Sequence, residues 1–224
     1  MLSSRARCGR FGLEITLSLT IDLVHDTVCP WCRIGKKNLD DALASWDGEA
    51  SEITYHPFFL HPGMPSAGRP FRDHMRSVKG DDDIEPMLLR VANTGLQVGL
   101  NFRWDLVQRA PNTLLSHALV LAAPVEVQSA VLDAVHKAYF EQGIDIGSKA
   151  NLIAIGKRLS VDTDRLDEQA FLDDVAGAAE GARAQGIEGV PFFIINQQLA
   201  VSGAQPASVL LGAIEQATTQ TAVS

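Results

Sequence analysis

Cys29-Pro30-Trp31-Cys32 lies where the sequence predicts that a strand ends and a helix begins. Residues 17–24, just upstream, alternate between polar and apolar and then become continuously apolar, as in a largely buried strand. Downstream, apolar residues recur at helical spacing as far as Trp46, and Gly48 stands where a helix C-cap is expected. Pro30 falls at the first helical position, where proline is best tolerated. The stretch therefore predicts a strand, a turn and a helix that starts at the cysteine pair.

The predicted position of Cys29 at a helix N-terminus favours the reactive thiolate form of its side chain. Unpaired backbone N–H groups and the positive end of the helix dipole favour a thiolate at a helix N-terminus. Two intervening residues allow the sulfur of Cys32 to reach that of Cys29 within one helical turn. This arrangement is typical of a dithiol that switches to a disulfide.

Zinc binding is an alternative interpretation of the same motif. A zinc knuckle also begins with CxxC, but it normally needs a second pair of Cys or His at similar spacing. The third cysteine, Cys8, lies in a polar N-terminal stretch, and no HxxxH pair follows. His25 could supply a third ligand, but on a strand four residues upstream it would be poorly placed. We therefore expect no metal site, and a chance structural CxxC is the other alternative.

Composition limits the function and the compartment. The chain has 224 residues, 46% hydrophobic and 21% charged, as in an ordinary globular protein. Its net charge of −8 argues against a nucleic-acid partner, and no apolar run approaches the ~18 residues of a membrane span. Arginines precede residues 13–24 as in a signal peptide, but polar residues interrupt that run. We expect a cytoplasmic protein with an N-terminal extension over residues 1–15, in which a CxxC pair is catalytic.

The order of the predicted elements indicates one sheet interrupted by helices. Residues 16–61 read as strand, helix and strand, which form a right-handed parallel unit. Residues 187–224 read as two strands joined by a tight turn, followed by a helix. The intervening residues 62–186 read as wholly helical. The helices are predicted at 71–79, 84–97, 112–122, 125–141, 149–159 and 171–186.

Some polar residues of the helical stretch could be mistaken for sites. Asp81-Asp82-Asp83 precedes an apolar residue and is expected to cap a helix rather than to bind a metal. His117 and His136 lie on amphipathic segments, where histidines are more often packed or solvated than catalytic.

Five segments in the same order along the chain resemble the DsbA-like superfamily of thioredoxin-fold proteins, and its FrnE-like branch in particular. They are residues 26–36 around CPWC, residues 57–65 (PFFLHPGMP), Asn112-Thr113 with His117, residues 189–193 (GVPFF) and residues 201–206 (VSGAQP). The resemblance implies an α/β thioredoxin-like fold with a large all-helical insertion between a βαβ half and a ββα half. It also implies that the last helix of the insertion packs on the sheet.

The resemblance further implies roles for individual residues. A cis peptide bond before Pro191 would lie beside the dithiol, supported by Pro30 and Trp31. The backbone of Gly189 and Val190 would pair with an extended substrate segment. Asn112 and Thr113, in another of the matching segments, are expected to contact substrate as well.

The implied activity is thiol–disulfide exchange. Cys29 would form the mixed disulfide and Cys32, pointing inward, would resolve it, with Arg33 favouring the thiolate. No bound cofactor is expected, and the resemblance allows glutathione as a co-substrate and a homodimer as the assembly. Partners would be thiols or disulfides of proteins or small molecules. Because Pro-Trp replaces the Pro-His of strongly oxidising relatives, we expect a milder oxidant.

A second enzymatic class shares the same insertion. The 2-hydroxychromene-2-carboxylate isomerases and the kappa-class glutathione transferases resemble this chain in the Pro-Phe and Asn-Thr segments. They typically carry serine where Cys29 stands, so both cysteines favour exchange over glutathione-dependent isomerisation of an aromatic metabolite. The resemblance assigns no role to His25, and Cys8 is expected to be a bystander.

Overall fold

The computed structural model describes residues 19–48, 51–80 and 84–221. The predicted N-terminal extension, Cys8 and the Asp81-Asp82-Asp83 cap lie outside these residues. A four-stranded sheet forms the centre of the molecule, with the strand order β2-β1-β5-β6. Its strands are β1 (Leu19–His25), β2 (Ser51–Pro57), β5 (Phe192–Ile195) and β6 (Leu199–Ser202).

The pairing of these strands matches a thioredoxin-like sheet. β1 runs parallel to β2 in a register that places Leu23 opposite Tyr55. β5 pairs antiparallel with β1, and Leu23 lies opposite Phe193 there. β6 then pairs antiparallel with β5. The parallel crossover is made by α1 (Pro30–Ser45), and α8 (Ala207–Thr221) follows β6. The predicted βαβ and ββα halves are therefore confirmed.

The sheet separates two layers of packing. Leu19, Ile21 and Leu23 alternate along β1 and are almost completely buried in the core shared with α1 and α8. The opposite face carries Val24, which packs with Ala182 in a smaller apolar cluster. Period-two alternation thus directs one set of β1 side chains to each layer.

Between β2 and β5 in the chain, the residues that the structure describes form six α-helices. They are α2 (Phe71–Lys79), α3 (Ile84–Gln97), α4 (Leu114–Ala122), α5 (Val125–Gln142), α6 (Lys149–Arg158) and α7 (Gln169–Ala184). Residues 69–70 and 109–110 form two short antiparallel strands, β3 and β4. The prediction that residues 62–186 are wholly helical is therefore wrong. A 3₁₀ turn covers Asp164–Asp167. Within the described residues, the helices are too short or too polar to cross a lipid bilayer.

Several helix ends differ from the sequence prediction. Those of α5, α6 and α7 differ by only one or two residues, and two other ends have a visible local cause. α1 ends at Ser45 because Trp46 adopts an extended backbone and donates its N–H to the carbonyl of Leu43, so Gly48 is not the C-cap. α4 begins at Leu114 rather than at residue 112, because the side chain of Asn112 accepts the N–H of Leu114 at 3.0 Å. Local side-chain packing and hydrogen bonding decide both ends. The proposed domain boundaries at residues 61/62 and 186/187 stay a prediction.

Candidate active site

The two cysteines occupy the start of α1. Cys29 is the N-cap residue with an extended backbone, and Pro30 is the first helical residue, as predicted. The carbonyl of Cys29 accepts N–H groups from Cys32 at 3.0 Å and from Arg33 at 3.2 Å. Both cysteines are free thiols, with 3% of Cys29 and none of Cys32 exposed. Helix geometry therefore brings the sulfurs together in one turn.

The two sulfurs have different surroundings. The thiol of Cys29 donates to the carbonyl oxygen of Val190 at 3.6 Å. Burial raises the pKa of the Cys32 thiol well above its usual value, and a hydrogen bond with Cys29 adds to that rise. A hydrogen bond with the backbone of Asp26 acts in the opposite direction without cancelling it. Cys32 is thus a poor nucleophile until it loses its proton, whereas Cys29 keeps a small exposed fraction and contacts the half-buried Val190.

The loop before β5 lies against the cysteine helix. The Val190–Pro191 peptide bond is cis, and the Pro191 carbonyl accepts the N–H of Gly203 at 2.8 Å. Gly35 of α1 allows this approach, because a Cβ there would lie 2.7 Å from Cγ of Pro191. Val190 is half-buried and Gly189 is exposed. The structure therefore places Val190 beside the sulfur of Cys29, and substrate pairing by Gly189 and Val190 stays a prediction.

Asn112 and Thr113 are engaged within the protein. The amide of Asn112 donates to the carbonyl of Met64 at 2.7 Å, and its oxygen accepts the N–H of Leu114. Thr113 is buried at the start of α4, where its carbonyl accepts the N–H of His117. These bonds give both residues a structural role, and their contact with substrate stays a prediction.

Trp31 and Arg33, on either side of Cys32, make different kinds of contact. Trp31 is partly buried and packs against the main apolar core. Arg33 is nearly buried and forms an ion pair with Glu141 of α5, a partner that the sequence did not indicate. The charge of Arg33 is therefore balanced by a carboxylate from the insertion.

A second buried cation joins α1 to the same helix. Lys36 is 1% exposed and donates to Asp40 at 2.7 Å and to Asp133 of α5 at 3.0 Å. Burial acts to lower the pKa of Lys36, but the two carboxylates outweigh it and raise that pKa. The pKa of Asp40 is itself raised, because its burial outweighs the attraction of Lys36. The ion pairs of Arg33 and Lys36 fix the insertion against the cysteine helix.

A buried polar cluster that the sequence did not predict lies next to the cysteine motif. Asp26 and His117 are each 1% exposed, and Nε2 of His117 lies 3.3 Å from Oδ1 of Asp26. The hydroxyls of Thr27 and Ser116 meet at 2.7 Å, so the residues before the motif contact the first turn of α4. The available signal was Asp26-Thr27, two polar residues directly between β1 and the cysteine motif. His117 was predicted to be packed or solvated, and it is packed.

A sizeable pocket lies away from the cysteines. A cavity of about 570 Å³ opens between α7 and the sheet and is lined by Asp22, Val24, His56 and Ile194 among others. Neither cysteine lines it, so cavity volume does not identify the chemistry here. In the described part of the chain, no three side chains of His, Cys, Asp or Glu are grouped to hold a metal ion.

Comparison with known proteins gives a consistent result. The family model described as DSBA-like thioredoxin domain matches residues 20–215. A Streptomyces coelicolor structure described as a probable DsbA oxidoreductase is 25% identical and has a TM-score of 0.80, covering 90% of each chain. No curated protein matches the chain in sequence.

Two further structures share the fold at lower identity. The cytosolic disulfide reductase DsbM of Pseudomonas aeruginosa, in a structure with GSH, is 19% identical with a TM-score of 0.61. A 2-hydroxychromene-2-carboxylate isomerase is 13% identical with a TM-score of 0.69. Each match covers 91% of this chain and 98% of the other.

Proposed function

The chain belongs to the family of DSBA-like thioredoxin domains, and from this membership and the site we infer that Cys29 and Cys32 carry its thiol–disulfide oxidoreductase activity. One observation supports the division of labour between them. The sulfur of Cys29 lies at the helix N-cap beside the Val190 carbonyl, whereas Cys32 is completely buried with a raised pKa. Cys29 is therefore the sulfur that meets substrate, and Cys32 is the sulfur that resolves the mixed disulfide.

The proposed exchange proceeds in two steps. The thiolate of Cys29 attacks one sulfur of a substrate disulfide, and the other substrate sulfur leaves as a thiolate. Cys32 then loses its proton and attacks Cys29, which releases the second substrate thiolate and leaves the Cys29–Cys32 disulfide. The substrate is reduced by two electrons and the protein is oxidised by two. The reverse sequence oxidises a substrate dithiol.

Trapping tests this division. In Cys32→Ser, a mixed disulfide through Cys29 should accumulate with bound partners that mass spectrometry identifies after release by dithiothreitol. Cys29→Ser is the matched control and should trap nothing. Equal trapping by both variants, or trapping only by Cys29→Ser, would overturn the assignment.

The isomerase alternative makes a different prediction. The isomerase structure is 13% identical to this chain, and a likeness at that level shows a shared fold without a shared activity. We expect the protein to accelerate insulin reduction by dithiothreitol and to leave a hydroxychromene carboxylate unconverted with glutathione. Glutathione-dependent conversion that survives Cys32→Ser would support the isomerase instead. Zinc bound stoichiometrically to the reduced protein would support the metal-binding alternative.

We further propose glutathione as a co-substrate that exchanges at Cys29 rather than as a bound cofactor. The structure described with GSH belongs to a relative with the same fold, which motivates the experiment. Oxidised glutathione should add one glutathionyl group to Cys29 in Cys32→Ser, as measured by intact-protein mass spectrometry. The cytoplasmic location and the homodimer stay predictions.

A further inference from the structure

The face of the sheet opposite α1 carries a carboxylate in an unusual place. Asp22 lies in the middle of β1, which is an inner strand between β2 and β5. The strand register places it beside Thr54 on one side and Ile194 on the other. Its side chain is only 26% exposed. A charged group on an inner strand costs free energy of folding unless it is paired, so the contacts of Asp22 require an account.

His56 of β2 engages one oxygen of this carboxylate. Its Nε2 lies 2.7 Å from Oδ1 of Asp22. An ionised carboxylate only accepts hydrogen bonds, so the imidazole donates from Nε2 and, as a neutral ring, keeps Nδ1 as an acceptor. Among the residues that the structure describes, none hydrogen-bonds Oδ2 of Asp22. The pair therefore offers two acceptors, Oδ2 and Nδ1, to a group that donates.

Helix α7 covers this pair with small side chains. Ala178, Gly181 and Ala182 recur at a spacing of three and one residues along α7 and line the same cavity as Asp22 and His56. A Cβ added at Gly181 would meet no surrounding atom within 4 Å. The small side chains thus leave open the cavity of about 570 Å³, a volume within the range of ~300–1,000 Å³ that small-molecule sites occupy.

The other lining residues indicate which ligand chemistry fits. Apolar and amide side chains complete the wall, namely Val24, Ile187, Ile194, Gln185 and Gln197. The lining residues that the structure describes include no lysine or arginine. An anionic ligand would therefore meet a carboxylate without a cation to balance the repulsion. An ammonium group would instead balance the charge of Asp22 and donate to its free oxygen.

Arg183 follows Ala182 in α7 and is engaged away from this carboxylate. Its Nη2 donates to the carbonyl of Phe59 at 2.7 Å, and its Cζ lies 4.5 Å from the centre of the Phe58 ring. Arg183 is not among the residues that line the cavity. The carboxylate of Asp22 therefore stays available to a cation that enters from solvent.

We propose that this cavity binds a small primary amine with an apolar body, such as an arylalkylamine. The ammonium group donates to Asp22, and the apolar body packs between α7 and the residues Val24 and Ile194 of the sheet. The site goes beyond the proposed function, because neither cysteine lines the cavity. Its occupation therefore does not depend on the dithiol.

NMR titration of the reduced full-length protein tests the ligand class with three probes of similar size. They are 2-phenylethylamine, 2-phenylethanol and phenylacetate, used at pH 8, where the amine is still protonated. The amine should shift the backbone amide signals of Val24, Ala182 and Ile194 in a saturable way. It should bind about tenfold more tightly than the alcohol, because hydrogen bonds to charged groups are about twice as strong as neutral ones. Phenylacetate should bind more weakly than the alcohol.

Two variants test the two halves of the site. Asp22→Asn keeps the shape of the side chain and removes its charge, so the affinity for the amine should fall about tenfold, to that of the alcohol. Gly181→Leu places a side chain in the cavity and should abolish binding of both probes. Gly177→Leu is its matched control, because Gly177 also lies in α7 with no surrounding atom within 4 Å of an added Cβ and does not line the cavity. This control should bind the amine as the wild type does.

The outcomes separate the site from its ligand class. Phenylacetate that binds as tightly as the amine, or an amine affinity that Asp22→Asn leaves unchanged, would overturn the assignment of an amine. Absence of saturable shifts with all three probes, or binding that survives Gly181→Leu, would overturn the site itself. If Gly181→Leu does not fold, the nearly isosteric Asp22→Asn carries the test together with the positions of the shifted amide signals.

Discussion

Substituting Gly35 tests how the Pro191 loop is held beside the cysteines. Gly35 is buried in α1, where an added Cβ would lie 2.7 Å from Cγ of Pro191 and 3.3 Å from Cζ of Phe193. Ordinary contact begins near 3.4 Å, so Gly35→Ala must separate α1 from the loop by about 0.7 Å. Because the Val190 carbonyl in this loop contacts Cys29, the separation should reach the reactive sulfur.

The magnitude follows from two opposing effects. Alanine in place of glycine inside a helix stabilises by about 1 kcal/mol, whereas overpacking of a filled core costs about 1–3 kcal/mol. Gly177 in α7 provides a control, because its added Cβ meets nothing within 4 Å. The helix contribution is the same in both variants. Gly35→Ala should therefore be less stable than Gly177→Ala by about 1–3 kcal/mol.

Urea unfolding measures this difference from the midpoints, provided that the slopes agree. The rate at which Cys29 reacts with Ellman's reagent, in single turnover, tests whether the reactive sulfur is affected as well. We expect Gly35→Ala to react at Cys29 with an altered rate and Gly177→Ala to keep the wild-type rate. Equal stabilities together with equal rates would show that the loop adapts freely and does not position Cys29.

Three further predictions concern buried groups. Iodoacetamide should modify Cys29 at least about tenfold faster than Cys32 in the reduced protein, because burial raises the pKa of Cys32; quenched samples analysed by mass spectrometry would contradict this if both rates agree. Lys36→Met should change the free energy of unfolding by less than about 1 kcal/mol, since its carboxylate partners reach solvent, whereas Lys36→Ala should cost about 2–3 kcal/mol through lost packing. Equal costs in urea unfolding would show that the charge dominates. Burial lowers the pKa of His25 and His136 well below 6.5, so the unfolded chain binds more protons below that pH. The free energy of unfolding should therefore fall between pH 6.5 and 5, by up to about 1.4 kcal/mol per pH unit for each histidine, and a flat profile would refute their neutral state.

Local sequence signals determined the elements and the reactive pair. The alternation of β1 and the proline after Cys29 predicted the strand and the helix start, because both depend on neighbours within a few residues. Helices α2 and α3 have the predicted bounds for the same reason. The order of the segments around CPWC indicated the family and the interrupted sheet, which the strand pairing and the family match confirm.

Tertiary packing decided what surrounds the sulfurs. Asp26 and His117 are 91 residues apart in the chain, and only the docking of α4 under the β1–α1 turn brings them together. Glu141 and Asp133 meet α1 because α5 crosses it, and no local pattern specifies that crossing. Hydrogen bonds and ion pairs between residues far apart in the chain depend on how the layers pack. The sequence alone therefore located the dithiol, and the tertiary structure decided which buried polar and charged groups surround it.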